Sequence, residues 1–315
     1  MQKSLAVGLL LIVLSLTGCG IFISTEQNYS VYNESGLALK YEATLTNGQV
    51  MIGALNAGIS TDLIFPTGLN KLTVYADDGT DRVLDSTGNT YRAVAVAQAK
   101  IVPIPRPGGD LPVKILAEVN RIRGQGWPLP KKLTIFWPSN KLDCSAFYCQ
   151  DGTGTPNVIH LQTSELVNGF FGLWHELGHA VMDAVYTVPF GGNCPTPHIV
   201  TEPSSLTCAW SEGWATFFAM LIGQTSVFCW PDATCLNYEH GLDFLTSNPQ
   251  AQEIEGYVTL FLWDLWDKYP GDDDGFSTDF SNLWKALQTQ PQTLQEFFNA
   301  LLVVLGLTPS PAPPR

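Results

Sequence analysis

The segment Trp174–Asp183, which reads WHELGHAVMD, constrains this chain more than any other stretch. It places His175, Glu176 and His179 in the pattern HExxH. Because helix positions i and i+4 lie one turn apart on the same face, both imidazoles can direct a nitrogen to one point. Zn²⁺ accepts such nitrogens, and a neighbouring carboxylate can take a proton from metal-bound water. The pattern therefore predicts a zinc-binding helix with Glu176 beside the metal.

A second segment, Ala209–Ala219 (AWSEGWATFFA), supplies a candidate third ligand, Glu212. A catalytic zinc site needs three protein ligands and an open position for water, so two histidines do not complete it. The small residues Gly213 and Ala215 would let this helix approach the first one closely. A surface role for Glu212, in a cap or an ion pair, is the alternative interpretation.

Both segments resemble thermolysin-like gluzincins, a family of zinc metallopeptidases. WHELGHAVMD resembles their zinc helix, and SEGWATFFA resembles their glutamate helix. The resemblance implies that His175, His179 and Glu212 bind Zn²⁺. It also implies that Glu176 is the general base in the hydrolysis of a peptide or protein substrate. Two features depart from the family pattern. The gap between His179 and Glu212 is longer than in thermolysin. Four residues after the glutamate ligand the family has an Asp, whereas this chain has Thr216.

The length and composition are those of a globular chain. Its 315 residues are enough for two domains, and 45% of them are hydrophobic against 14% charged. The 29 acidic residues outnumber the 16 basic ones and give a net charge of −13. Nucleic acid binds clustered Lys and Arg, so we expect no nucleic-acid partner.

Residues 1–18 read as a signal peptide, with Lys3 as its charge and Leu5–Leu16 as an apolar core too short for a comfortable membrane span. The following Leu16–Cys19, LTGC, resembles the bacterial lipobox. The resemblance implies that Cys19 is lipidated and anchors the protein in the bacterial cell envelope. Gly20 in place of Asp implies the outer membrane or the cell surface. The alternative is a secreted protein with an incidental Cys at the cleavage site.

Six cysteines remain once Cys19 is set aside, and an even number in an exported chain indicates disulfides. The sequence leaves their connectivity open. Pairing of chain neighbours is the simplest hypothesis: Cys144–Cys149, Cys194–Cys208 and Cys229–Cys235. A structural zinc held by cysteines lacks the expected CxxC spacing.

A change in composition predicts two domains. Residues 27–105 contain short strand-like runs separated by Gly, Asn and Asp, which indicates a small all-β sandwich. After a linker rich in Pro and Gly, residues 110–307 are predicted to form an α+β, zincin-like metallopeptidase domain, mainly helical with a small sheet. Residues 308–315 form a Pro-rich tail. Within the second domain the patterns predict helices over 112–123, 253–268 and twice within 277–305, and strands over 133–137 and 157–162.

Peptide hydrolysis requires a hydrogen-bond donor for the oxyanion that forms on the scissile carbonyl. The candidates are Tyr257 and His240, ranked ahead of Tyr238 and His198. Core packing or surface exposure is the alternative interpretation of each of them.

Other candidate roles stay open. Asp183, four residues after His179, either accepts a hydrogen bond from a ligand imidazole or is solvated near the helix end. The family resemblance implies that the strand over 157–161, which contains His160, binds an extended substrate by strand addition. The loop Asp272–Asp274 either binds Ca²⁺ or forms a solvated turn.

Two function classes fit the sequence. The first is a lipid-anchored zinc peptidase. The second is a non-catalytic surface lipoprotein that binds a partner and keeps the zinc fold as a scaffold. The presence of Glu176 favours the enzyme, because a structural zinc site needs no general base.

Overall fold

The computed structural model shows an α+β protein with small sheets and several helices. It describes residues 26–33, 37–56, 61–96, 101–104, 111–139, 147–149, 157–163, 166, 169–187, 194–195, 199–229, 234–239, 247–267 and 276–308. The predicted signal peptide with Cys19 and the Asp272–Asp274 loop lie outside the described residues.

The first part of the chain consists of short strands. They are β1 (Gln27–Asn33), β2 (Leu39–Leu45), β3 (Val50–Leu55), β4 (Thr61–Phe65), β5 (Leu69–Tyr75), β6 (Arg82–Leu84), β7 (Arg92–Val96) and β8 (Ile101–Ile104). One sheet has the order β4–β1–β8 and another the order β3–β2–β5–β7. Strand β2 alternates strictly, so its odd-numbered side chains from Leu39 to Leu45 enter the core while the others face outward.

The second part of the chain is mainly helical. Its helices are α1 (Leu111–Gly124), α2 (Phe171–Val185), α3 (Leu206–Gly223), α4 (Glu255–Trp266), α5 (Phe280–Leu287) and α6 (Leu294–Val304). The predictions for α1, α4 and the pair α5 and α6 are confirmed. Helix α3 begins where the Ser205 hydroxyl accepts the Cys208 N–H, and it ends at Gln224 in the left-handed conformation.

A third sheet joins the two parts. It has the order β10–β11–β9–β6, with β9 (Thr134–Phe136), β10 (Phe147–Cys149) and β11 (Val158–His160). Strand β6 pairs in parallel with β9. A strand that precedes the predicted linker is therefore the edge of the sheet beside the helical part.

A buried ion pair fastens the same junction. The Asp81 side chain is fully buried, and its Oδ2 lies 2.9 Å from Arg123 Nη2 of α1. The Leu133 backbone N–H, just before β9, donates to Asp81 Oδ1 at 2.8 Å. Burial raises the pKa of Asp81, while the Leu133 N–H and the Arg123 charge lower it. The carboxylate therefore joins β6, α1 and β9 at one buried point.

Two glycines allow α3 to pack tightly against its neighbours. A Cβ on Gly178 of α2 would lie 2.8 Å from the Ala215 Cα atom, so α2 and α3 touch backbone to backbone there. A Cβ on Gly213 would lie 2.6 Å from Val258 of α4. The expected close approach to α2 is thus made by Ala215, whereas Gly213 serves the contact with α4.

Two disulfides link neighbouring segments of the helical part. Cys194 pairs with Cys208 of α3, and Cys229 pairs with Cys235, as predicted. The second bridge closes a hairpin of β12 (Val227–Cys229) and β13 (Cys235–Asn237). Cys144 of the third predicted pair lies outside the described residues. No helix in the described segments has the length and apolarity needed to cross a bilayer.

Candidate metal centre

Three side chains bring one ligand atom each to a common point. His175 Nε2 lies 3.2 Å from His179 Nε2 and 3.2 Å from Glu212 Oε2, and His179 Nε2 lies 3.3 Å from that same oxygen. With zinc bonds of 2.0–2.1 Å, the ligand atoms of a tetrahedral site lie ~3.3–3.4 Å apart. The donor set is nitrogen, nitrogen and carboxylate oxygen, so both its chemistry and its spacing fit Zn²⁺.

The helix packing explains this convergence. The two imidazoles lie one turn apart on α2, with ring centroids 4.9 Å apart. Glu212 reaches them from α3, and the contact of Gly178 with Ala215 brings the two helices close enough for that reach. The three side chains keep 13–15% of their surface exposed, which leaves one side of the cluster open to a further ligand.

Hydroxyl groups on α3 hold the far side of both imidazoles. Thr216 Oγ1 lies 3.1 Å from His175 Nδ1, and Ser211 Oγ lies 3.3 Å from His179 Nδ1. The Thr216 hydroxyl also lies 3.3 Å from Glu255 Oε1, at the first turn of α4. No sequence pattern indicates these roles of Ser211 and Glu255, although Ser211 directly precedes Glu212.

The cluster lies in a field set by buried carboxylates. Burial lowers the pKa of His175, but its hydrogen bond to Glu212 and the charge of Glu176 raise that pKa to about 9. Glu255 acts in the same direction. Burial opposes ionisation of Glu212, but the positive charge of His179 and the bond to His175 hold its pKa well below its usual range. The surroundings therefore favour a positive charge at this point.

Glu176 lies beside the cluster and is almost fully buried. Burial raises its pKa to about 7, and the charges of His175 and His179 limit the rise. Its carboxylate accepts the backbone N–H of Tyr148, which lies on the edge strand β10. Glu176 is thus placed between the metal ligands and the edge of the sheet.

The sheet corrects one expectation. Strand β11, predicted to add an extended substrate, is flanked by β9 and β10 and has no open edge. The Tyr148 N–H shows that β10 turns its outer edge toward Glu176. His160 is a buried residue of β11 whose Nδ1 lies 3.0 Å from Ser139 Oγ and whose ring stacks on Phe136. The edge strand of this sheet that lies beside Glu176 is thus β10 and not β11.

Asp183 takes a different partner from the one considered in the sequence. Its Oδ2 accepts the Tyr148 hydroxyl at 2.5 Å, while the nearby His179 uses Ser211. The Tyr148 hydroxyl also reaches Asn157 Oδ1 at 3.0 Å. Asp183 thus holds the edge strand in place against α2.

Two of the candidate oxyanion donors, Tyr257 and Tyr238, lie within the described residues. Tyr257 is two residues from Glu255 on α4 and so faces the other way, with Phe261 as its ring neighbour at 6.4 Å. Burial and the charge of Asp264 raise its pKa. Tyr238 is fully buried. His240 and His198 lie outside the described residues.

A disulfide lies directly beside the third ligand. Cys208 precedes Glu212 by one turn of α3, and its partner Cys194 has Sγ 3.6 Å from Glu212 Oε1. The bridge therefore fixes the segment before α3 against the side of the carboxylate that faces away from the histidines.

The comparisons with known proteins return one family. The family model of the mycolysin C-terminal domain matches residues 127–311, which is more than half of the chain. This segment contains the three candidate ligands and Glu176. That domain occurs in zinc metallopeptidases, and the match supports the predicted relation to thermolysin-like peptidases. Neither the curated proteins nor the solved structures contain a significant match.

Proposed function

We propose that this chain, which belongs to the mycolysin C-terminal domain family, is a zinc-dependent peptidase of the zincin type. The observation that carries the proposal is the triangle of His175, His179 and Glu212, with ligand atoms 3.2–3.3 Å apart and Glu176 beside them. A structural zinc site needs only its ligands, whereas a hydrolytic site also needs a proton acceptor such as the buried Glu176 carboxylate.

The residues divide the chemistry among them. His175, His179 and Glu212 would hold Zn²⁺, which when bound polarises the scissile carbonyl and makes water more acidic. Glu176 accepts the proton of the attacking water on its carboxylate and delivers it to the leaving nitrogen. Burial of Glu176, which raises its pKa to about 7, makes the carboxylate a better proton acceptor at neutral pH.

The outer edge of β10 indicates the substrate class. An extended peptide can pair with the outer edge of a strand through backbone hydrogen bonds. The Tyr148 N–H, which itself donates to Glu176, shows that the outer edge of β10 lies beside the cluster. A peptide or protein laid along β10 would bring a backbone carbonyl to the cluster. Tyr257 and His240 remain proposals for the oxyanion donor, without support from a contact.

The remaining parts of the proposal come from the sequence. We place the protein in the bacterial cell envelope, on a lipid anchor at Cys19, with a β domain over 27–105 ahead of the peptidase domain over 110–307. The net charge of −13 supports the exclusion of nucleic acid as a partner.

Glu176→Gln in the mature chain tests the proposed reaction. The substitution keeps the size of the side chain and removes the proton acceptor, so zinc content should stay at one per chain. Peptide hydrolysis should fall by about 10²–10⁴-fold. His179→Ala is the matched comparison and should lose most of the zinc as well as the activity.

Zinc per chain and hydrolysis of a broad peptide library are measured on each variant. Full activity in Glu176→Gln would refute the role of Glu176 as the proton acceptor. A wild-type chain that binds zinc and cleaves no peptide would instead favour the non-catalytic lipoprotein.

A further inference from the structure

Thr216, four residues after Glu212 on α3, has a hydroxyl group that contacts side chains of both α2 and α4. Thr216 is buried, with 2% of its surface exposed. Its Oγ1 lies 3.1 Å from His175 Nδ1 on α2 and 3.3 Å from Glu255 Oε1 on α4. The chain His175–Thr216–Glu255 therefore connects a candidate ligand to a buried carboxylate through a single hydroxyl.

The direction of these hydrogen bonds follows from the number of protons. A threonine hydroxyl has one proton to donate, and an ionised carboxylate can only accept. Thr216 donates to Glu255, so its oxygen accepts the proton on His175 Nδ1. An imidazole that carries its proton on Nδ1 has its lone pair on Nε2. That nitrogen faces Glu212 and His179.

We propose that Thr216 and Glu255 are positioning residues, which fix the ring orientation and the tautomer of His175 so that Nε2 faces the metal. The inference rests on the proposed function and adds α4 to the elements that build the site. A ligand imidazole is commonly held by a carboxylate or a carbonyl in this way. Here the Thr216 hydroxyl stands between the imidazole and the carboxylate, and the carboxylate, that of Glu255, belongs to α4.

The packing of α3 against α4 gives Glu255 its reach. Gly213 leaves no room for a Cβ against Val258, and a Cβ there would also lie 3.0 Å from the Glu255 carbonyl. This contact places the start of α4 against α3, where the Glu255 carboxylate reaches the Thr216 hydroxyl.

Another buried threonine in the same interface shows the contrast. The Thr259 hydroxyl of α4 lies 3.2 and 3.1 Å from the backbone carbonyl oxygens of Gly213 and Glu255, between which it shares its one proton. Such bonds to helix carbonyls are ordinary for a threonine inside a helix. Thr216, in contrast, uses its hydroxyl on two ionisable side chains.

The test compares Thr216→Val with Thr216→Ser in the full-length mature chain. Valine keeps the shape and removes the hydroxyl, so the Kd for zinc, measured by competition with a chromophoric chelator, should rise 10–100-fold. Serine restores the hydroxyl and should return the Kd close to that of the wild type. Glu255→Gln keeps an acceptor oxygen but removes the charge, and should weaken zinc binding less than Thr216→Val.

Thr259→Val is the matched control, because it removes a buried hydroxyl from the same interface without touching a ligand. It should leave the zinc Kd unchanged. The visible spectrum of the Co²⁺-substituted protein gives a second readout, since a reoriented His175 changes the ligand field. Thr216→Val should alter that spectrum and Thr259→Val should not.

The outcomes separate the two proposals. Equal zinc affinity and equal Co²⁺ spectra in wild type and Thr216→Val would overturn the positioning role and leave the peptidase proposal intact. Equal losses in Thr216→Val and Thr259→Val would overturn it as well, because the effect would then be one of packing. Failure of the wild type to bind zinc would overturn both proposals. If Thr216→Val does not fold, an unchanged Kd in Glu255→Gln would overturn the role of the carboxylate.

Discussion

Gly178→Ala is expected to damage the metal centre through packing alone. The added Cβ would lie 2.8 Å from the Ala215 Cα atom, a backbone atom that cannot turn away. Carbon atoms in contact lie ~3.5 Å apart, so α3 has to move from α2 by about 0.7 Å. Overpacking of this kind costs about 1–3 kcal/mol of unfolding free energy.

The same movement would separate the ligands. Glu212 travels with α3, and a shift of about 0.7 Å would widen its distance to His175 from 3.2 Å to about 3.9 Å. A tetrahedral zinc site accommodates ~3.3–3.4 Å. We therefore expect zinc affinity to fall on the order of 10–100-fold, as when the orientation of a ligand is disturbed.

Two measurements check this prediction: urea unfolding of the metal-free protein, and chelator competition for zinc. Gly124→Ala is the matched control, since a Cβ at the end of α1 meets nothing within 4 Å. It should leave zinc affinity unchanged and stability equal or slightly higher, by up to ~1 kcal/mol. Wild-type stability and zinc affinity in Gly178→Ala would show that the contact between α2 and α3 does not set the ligand spacing.

Two further predictions concern the N-terminal part of the chain. Asp81→Asn should lower the unfolding free energy on the order of 2 kcal/mol, because it leaves the partly exposed Arg123 without its buried counter-charge; urea midpoints unchanged from wild type would contradict this. Lipidation at Cys19 should add acyl mass to the mature chain and carry it into the detergent phase, whereas Cys19→Ala should stay in the aqueous phase; an intact mass without added acyl chains would rule the anchor out.

The part of the site that lies on one helix could be predicted from the sequence. Helical periodicity alone places His175 and His179 one turn apart, and the structure has their nitrogens 3.2 Å apart. Glu212 was a candidate from its own segment, and the family resemblance supported it, but its distance to α2 depends on how the two helices pack. Glu255 lies on a third helix, and no spacing in the sequence relates it to Thr216.

The sheets were harder to predict for a related reason. Strand β6 has three residues, and its pairing with β9 is decided by a contact between distant parts of the chain. The family resemblance implied substrate binding along β11, but which strand of a sheet has a free edge depends on strand order. Local patterns carry no information on strand order.

The pairing of β6 with β9 limits how this protein can be divided. The segment matched by the family model begins at residue 127, whereas β6 ends at Leu84. A chain cut to the matched segment would expose the full hydrogen-bonding edge of β9, and an unpaired edge of this kind invites pairing with other chains. It would also leave the Leu133 N–H without Asp81, and it would lack α1 altogether. We therefore expect the segment that carries the candidate metal centre to need the strand β6 and the Asp81 carboxylate of the preceding part in order to fold.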